Sequence, residues 1–212
     1  MSTPGKRDTG GRRPLRADAL ANRGRILDVA EEVFGEGGES ASTEEVARVA
    51  GVGIATVFRH FPTKAALLEA VLVRRFDRLR DQAETLLDAT DPGRAFFDFF
   101  SHLVADAATK IAIGEALLDA GGDGDGDAAQ ASNGLRRAVA ALLRNAQHAG
   151  AVRDDVELPE VYALLVAVSR AAAHAHLDQE LRTRVLAIVF DGLAPLQNAG
   201  VRNGKQSRQA ST

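Results

Sequence analysis

The stretch that decides the fold is Ser42–Leu68, which reads STEEVARVAGVGIATVFRHFPTKAALL. Ser42 and Glu45 have the spacing of a helix capping box, so a short helix begins there. The three residues Gly51–Gly53 predict a turn, and a second short helix follows over Ile54–Phe61 until a proline prevents its continuation. Two short helices joined by a glycine-containing turn form a helix-turn-helix unit, whose second helix enters the major groove of DNA.

The rest of the chain is also helical in pattern. Apolar residues recur at helical spacing in one segment before the motif, in a long segment that Thr63 caps, and in four later segments. The first of those four begins at Asp91-Pro92, a cap followed by proline at the first helical position. Because no segment alternates as a strand, we predict an all-α fold with a three-helix helix-turn-helix domain at 21–69 and a helical bundle at 70–196.

Composition excludes several classes of protein. Of the 212 residues, 45% are hydrophobic and 26% charged, an ordinary globular balance, and there is no cysteine for a disulfide or a zinc site. The longest apolar run, Val161–Ser169, is too short to span a membrane, and the N-terminus lacks the apolar segment of a secretory signal. We therefore expect a cytoplasmic protein without a membrane partner.

Charge is distributed unevenly along the chain. Residues 1–25 carry seven Lys/Arg against two Asp, a net charge of +5, although the whole chain has −3. Residues 1–20 and 197–212 have the composition of disordered segments. The N-terminal segment is therefore either a basic arm suited to a polyanion or a tail that only improves solubility.

Residues 22–72, including the quoted stretch and the preceding helix that ends at Phe34-Gly35, closely resemble the DNA-binding domain of the TetR family of transcriptional repressors. The resemblance implies a set of residues that contact the operator DNA: Thr43 and Lys64 at phosphates, and Thr56, Arg59 and His60 on the second helix. Phe58 departs from the pattern, because the family commonly has a tyrosine there whose hydroxyl binds phosphate.

The net charge of this region adds a second group of DNA contacts. Residues 1–69 contain ten Lys/Arg and ten Asp/Glu, so the domain is acidic without its N-terminal segment. An acidic surface is unfavourable beside phosphates. We therefore predict that the basic residues of this segment contribute directly to affinity, namely Arg12, Arg13, Arg16, Arg23 and Arg25.

The resemblance implies that residues 70–196 form a ligand-binding and dimerisation domain, so that the protein is a homodimer released from a palindromic operator by a small apolar molecule. Bundle interiors commonly host ligands. The candidate ligand contacts are Phe96, Phe99, Phe100, His102, Leu103, Asp106, Arg170 and His174. Each also has a plainer interpretation as a core or surface residue. The last two helices are rich in small residues, which permit close approach of two subunits: Ala167, Ala171, Ala172, Ala173 and Ala175.

Other chemistry finds little support. The aspartates of residues 121–127 imitate the start of an EF-hand, but Ala128 replaces its glycine and Gly134 its bidentate glutamate, so we predict a mobile loop. His102 and Asp106 share a helical face yet are too few for a metal, and no nucleotide or nucleophile motif occurs. We expect no enzyme, cofactor or metal. The remaining alternative is a helical carrier or interaction protein with a vestigial helix-turn-helix.

Overall fold

The structure, a computed structural model, describes residues 12–122, 126–174 and 178–195. Within these ranges the chain forms eight α-helices and no strand, as predicted. The helices are α1 (Arg12–Gly37), α2 (Thr43–Ala50), α3 (Ile54–His60), α4 (Lys64–Leu86), α5 (Pro92–Asp119), α6 (Asp127–His148), α7 (Leu158–His174) and α8 (Gln179–Leu193), with a short 3-10 turn at Gly38–Ser40.

The predicted helix starts are confirmed by their caps. The Ser42 hydroxyl accepts a hydrogen bond from Glu45 N at 3.1 Å, and the Thr63 hydroxyl accepts one from Ala66 N at 3.0 Å. Asp91 caps α5 in the same way, through Arg94 N at 2.9 Å. Each cap satisfies a backbone N–H that the first helical turn leaves without a partner.

The N-terminal part differs from the sequence prediction in one respect. Residues 12–20, expected to be disordered, are the first turns of α1. Apolar packing begins further on, where Ile26, Ala30 and Phe34 are fully buried. Residues 1–11 and 197–212, and Asp123 and Asp125 of the predicted mobile loop, lie outside the described residues, while Asp127 begins α6.

The domain core is built on the buried face of α1. It packs against apolar residues of the two short helices and of α4, all at most 4% exposed: Val46, Ala47, Val57, Leu67, Leu68 and Val71. Burial of each valine or leucine side chain in this set contributes about 1.5–3 kcal/mol. The position of α3 therefore follows from packing against α2 and α1.

The two parts of the molecule meet along α1, α4 and α5. At Gly35 on α1, an added Cβ would lie 2.6 Å from Thr109 Cγ2 on α5, so glycine permits the close approach of these helices. Helix α4 starts in the helix-turn-helix domain and continues into the bundle, where it packs on α5 and α6. Among the described residues, no helix is both long and apolar enough to cross a lipid bilayer.

Candidate DNA-binding surface and ligand cavity

The turn between α2 and α3 has the geometry of a Schellman motif. Gly51 has φ 66°, a left-handed conformation that favours glycine, and its N–H contacts the carbonyls of Ala47 and Arg48. The Val52 N–H donates to the carbonyl of Ala47 at 3.0 Å. This turn ends α2 and fixes the orientation of α3 relative to α2.

Four of the seven residues of α3 are exposed. Val57 alone among its seven residues is buried, at 0% exposure, and it anchors the helix to the core. Arg59 is exposed, Thr56 and His60 are half-buried, and Phe58 is 41% exposed. Arg59 forms no ion pair or hydrogen bond within the part of the chain that the structure describes, so its guanidinium is available to a base edge or a phosphate.

Lys64 and Thr43 are held more tightly than the resemblance implies. The Lys64 ammonium donates to the Ala41 carbonyl at 2.9 Å and lies 5.2 Å from the centroid of the Phe34 ring. The positive charge of Lys64 therefore lies beside the start of α2, and its hydrogen bond to Ala41 connects α4 with the residues that precede α2. Thr43 is only 6% exposed, which leaves its hydroxyl little freedom to reach a phosphate.

The two arginines of α1 differ in their relation to α3. The Arg23 guanidinium lies 5.1 Å from the centroid of the Phe61 ring, so it stands at the end of α3 and adds positive charge there. Arg25 is exposed and donates to Asn22 Oδ1 at 3.2 Å, a contact within its own helix. The structure thus brings Arg23 to the predicted DNA-binding surface and leaves Arg25 beside it on α1.

A cavity of about 210 Å³ lies in the C-terminal part, between α4, α5, α6 and α7. Its lining includes three of the predicted ligand contacts, namely Leu103, Asp106 and Arg170. The sequence did not single out its other polar lining residues, which are Lys110, Ser132, Tyr162 and Ser169. Spacing offers a signal for two of them, because Lys110 is one turn beyond Asp106 and Tyr162 is two turns before Arg170 on a common face.

The remaining predicted ligand contacts lie elsewhere. Phe96, Phe99 and Phe100 are at most 4% exposed and do not line this cavity. Phe100 instead packs edge-on against Phe190, with ring centroids 5.6 Å apart. His102 lies in a separate open depression together with Phe99. The side chain of His174 lies outside the described residues.

Two side chains at the cavity have pKa values shifted from their usual ones. Burial lowers the pKa of Lys110; the nearby carboxylate of Asp106 raises it, and the charge of Arg75 lowers it further. Burial also raises the pKa of Tyr162 to about 12, although the positive charge of Arg136 opposes this. The tyrosine is therefore a neutral hydroxyl that both donates and accepts hydrogen bonds.

An ion-pair network connects this cavity to the helix-turn-helix domain. Arg75 of α4, only 6% exposed, donates through Nε to Asp106 Oδ2 at 2.9 Å and through Nη1 to Glu31 of α1. Arg78 also donates to Glu31, at 2.7 Å. Burial by itself raises the pKa of Glu31, but the hydrogen bond from Arg78 and the charges of the neighbouring arginines lower it below its usual value. One buried arginine thus joins helices from both parts.

Comparison with known proteins assigns the two halves of the chain. Residues 26–71 match the family described as bacterial regulatory proteins of the TetR family, and residues 91–195 match the C-terminal domain described as transcriptional regulator SbtR-like. The chain is similar to a solved TetR transcription regulatory protein from Mycobacterium vanbaalenii, at 41% identity and a TM-score of 0.70, over 86% of this chain and 100% of that one. It is also similar to the TetR transcriptional regulator SCO0520 from Streptomyces coelicolor, at 33% identity and a TM-score of 0.67, over 82% and 99% of the two chains.

Curated relatives match over shorter stretches. The HTH-type transcriptional activator FasR from Mycolicibacterium smegmatis is 37% identical over 107 residues, which cover 46% of this chain and 49% of FasR. The HTH-type transcriptional regulator SAR0097 from Staphylococcus aureus is 35% identical over 78 residues, covering 35% of this chain and 40% of that protein. The matches thus span less than half the length of these relatives, which are transcriptional regulators and not enzymes. Since both solved relatives are matched almost end to end, the chain belongs to the TetR family of bacterial transcriptional regulators.

Proposed function

We propose that the protein is a ligand-responsive repressor that binds a palindromic operator as a homodimer. The observation that carries this proposal is the exposed α3, whose Arg59 has no partner among the described residues and whose Thr56 and His60 lie on the same short helix. An arginine on a helix in the major groove discriminates guanine from other bases. Such a protein acts where the DNA is, in the cytoplasm.

The direct test is fluorescence anisotropy on duplexes from the upstream region of its own gene, with a scrambled duplex as control, at several salt concentrations. We expect specific binding that tightens as salt falls. Equal, weak binding to both duplexes would favour the carrier interpretation. Because FasR is named an activator, a reporter gene behind the bound duplex should follow, and increased expression would make this protein an activator.

The homodimer is supported by exposed apolar residues of α8, since Leu181 and Ile188 lie seven residues apart on this helix and are 42% and 71% exposed. Of the small residues predicted to permit close approach, Ala167 and Ala171 are exposed, Ala172 and Ala173 are half-buried, and Ala175 lies outside the described residues. An apolar surface of this kind is covered most simply by the same surface of a second copy about a twofold axis.

Ile188→Glu should convert the dimer into a monomer. Burial of two unpaired carboxylates in an apolar interface is strongly unfavourable, so light scattering at micromolar concentration should give half the mass of the wild type. Leu118→Glu on α5 is the matched control, since Leu118 is also exposed, at 65%, but belongs to neither α7 nor α8. A dimeric Ile188→Glu variant, or a monomeric wild type, would contradict the proposed interface.

Neutralising the N-terminal arginines should weaken binding to every DNA sequence. Because α1 begins at Arg12, a deletion of residues 1–20 would also remove helix, so we choose Arg12→Gln/Arg13→Gln/Arg16→Gln. Each lost phosphate contact reduces the slope of log affinity against log salt by about 0.9. The variant lacks three arginines in each of two subunits, so the slope should become shallower by about 1 if one phosphate contact is lost and by about 5 if all six are lost.

The matched control for the arginine triple is Arg202→Gln/Lys205→Gln/Arg208→Gln, which makes the same change of charge near the other end of the sequence. We expect this variant to keep the wild-type slope. If the two triple variants give the same slope, the N-terminal arginines contribute no direct phosphate contacts.

Release by a ligand requires two arrangements of the dimer. A molecule in the C-terminal cavity would favour an arrangement in which the two α3 helices no longer match the operator spacing of about 34–36 Å. Helix α4 runs from the helix-turn-helix domain to this cavity, and its Phe76 and Leu79 line it. To reverse occupancy from 99:1 to 1:99, the ligand must prefer the non-binding arrangement by about 10⁴-fold.

A further inference from the structure

The cavity in the bundle combines apolar walls with positive charge. Its apolar lining comes from all four surrounding helices: Phe76, Leu79, Leu103, Ala107, Ile111, Leu135, Leu165 and Val166. Three ionised side chains also line it, namely Asp106, Lys110 and Arg170. A ligand must therefore bury an apolar body while it meets these charges.

The carboxylate of Asp106 is already paired with an arginine. Arg75 donates to both of its oxygens and to its backbone carbonyl, the last at 3.0 Å. Among the described residues, neither Lys110 nor Arg170 forms an ion pair with a carboxylate. The charge that the cavity offers to a ligand is therefore positive.

Lys110 is the better placed of the two cations. Lys110 is an exposed residue, but its ammonium lies 5.4 Å from the centroid of the Phe76 ring. Neighbouring protein lowers the pKa of Lys110 by burial, which means that its charged form has lost some hydration. A bound anion would restore that lost interaction. Tyr162 and Ser169 belong to the same lining, and a tyrosine or serine hydroxyl can donate a hydrogen bond to such an anion.

We propose that the cavity binds a monocarboxylate with an apolar body, and that the carboxylate pairs with Lys110 while the body packs on the walls of α4, α6 and α7. This inference rests on the proposed function for its consequence, because such a ligand would be the effector. The sequence implies only that the ligand is a small apolar molecule, and this proposal adds that the ligand also carries a carboxylate. The carboxylate would lie next to Asp106 and thus beside the network that reaches Glu31.

The test is isothermal titration calorimetry without DNA, using benzoate, hexanoate, octanoate and decanoate, each against its neutral amide. We expect at least one acid to bind about tenfold to a hundredfold more tightly than its amide, because hydrogen bonds to charged groups are about that strong. Lys110→Met should remove this preference, since methionine keeps the apolar stem without the charge. Lys110→Arg should retain it.

Arg94→Met serves as a charge-matched control, because Arg94 lies in the first turn of α5 with a side chain 79% exposed and does not line the cavity. It should bind acid and amide as the wild type does. The proposal is overturned if no acid binds at millimolar concentration, if amides bind as well as acids, or if Lys110→Met keeps the preference. Because no DNA is present, a failure to bind the operator would leave these results unaffected and would overturn only the proposed function.

Discussion

Arg59→Ala should strongly reduce the preference for the operator while binding to scrambled DNA hardly changes. A bidentate contact from arginine to guanine contributes about 1–3 kcal/mol of discrimination. A dimer on a palindrome loses the contact in both half-sites, and effects at separate positions add, so we expect a loss of about 2–6 kcal/mol. This corresponds to roughly 30-fold to 10⁴-fold weaker binding in the anisotropy experiment.

The variant should remain folded, because Arg59 is exposed and makes no ion pair or hydrogen bond among the described residues. Exposed substitutions of this kind change stability by about 0.5 kcal/mol or less. Arg94→Ala makes the same change of charge at a site in the bundle, where Arg94 pairs only loosely with Asp98 at 3.3 Å, and it should bind the operator normally. If Arg59→Ala and Arg94→Ala bind the operator equally well, α3 does not read its sequence.

The DNA-binding part could be predicted from sequence because its determinants are local. A cap at Ser42, a turn at Gly51 and a proline after Phe61 each act within a few residues, and the structure shows all three at the predicted places. The apolar periodicity of α1 predicts its buried face equally well. Its start was missed, since the first two turns carry arginines and few apolar residues, which is a composition typical of disorder.

The surroundings of several candidate site residues could not be predicted, because they depend on contacts between residues distant in sequence. Lys64 was assigned to phosphate, but the position of its ammonium depends on Ala41 and Phe34, which precede it by 23 and 30 residues. In the same way, the sequence predicts Phe96, Phe99 and Phe100 of α5 as ligand contacts. In the structure Phe190 of α8 packs against Phe100 and its neighbour Phe97, and that pairing cannot be inferred from spacing along α5.

The ion-pair network around Arg75 is a further set of contacts between residues distant in sequence, and it connects the cavity with the helix-turn-helix domain. Its members come from three helices, since Glu31 lies on α1, Arg75 on α4 and Asp106 on α5. Asp106 lines the cavity, and Glu31 belongs to the helix that packs behind α2 and α3. If the proposed ligand changes the bonds of Asp106, the buried side chain of Arg75 offers a direct connection from the cavity to Glu31 in the helix-turn-helix domain.

Arg75→Met should destabilise the protein by about 3–5 kcal/mol, because it leaves the carboxylate of Asp106 in a largely buried place without its arginine and removes one of the three arginines that bind Glu31. In a chain of this length the melting temperature should fall on the order of 10 °C, measured by circular dichroism at fixed protein concentration. Arg78→Met is the matched control: Arg78 lies on the same helix and binds the same Glu31, but its side chain is 52% exposed. We expect this second loss to stay below about 1 kcal/mol.

A compensated variant separates lost charge balance from lost packing. In Arg75→Met/Asp106→Asn the carboxylate that Arg75→Met leaves without a partner is gone, while Glu31 keeps Arg74 and Arg78. Replacing both members of a buried ion pair is often neutral for stability, so the double variant should melt above Arg75→Met. If the ionic link also carries the ligand signal, this folded variant should bind the operator but no longer be released by carboxylates that still bind in the calorimeter. If carboxylates release this variant from the operator as they release the wild type, the coupling runs through the packing of α4 instead. If Arg75→Met and Arg78→Met have equal melting temperatures, the buried ion pairs contribute little to the stability of the fold.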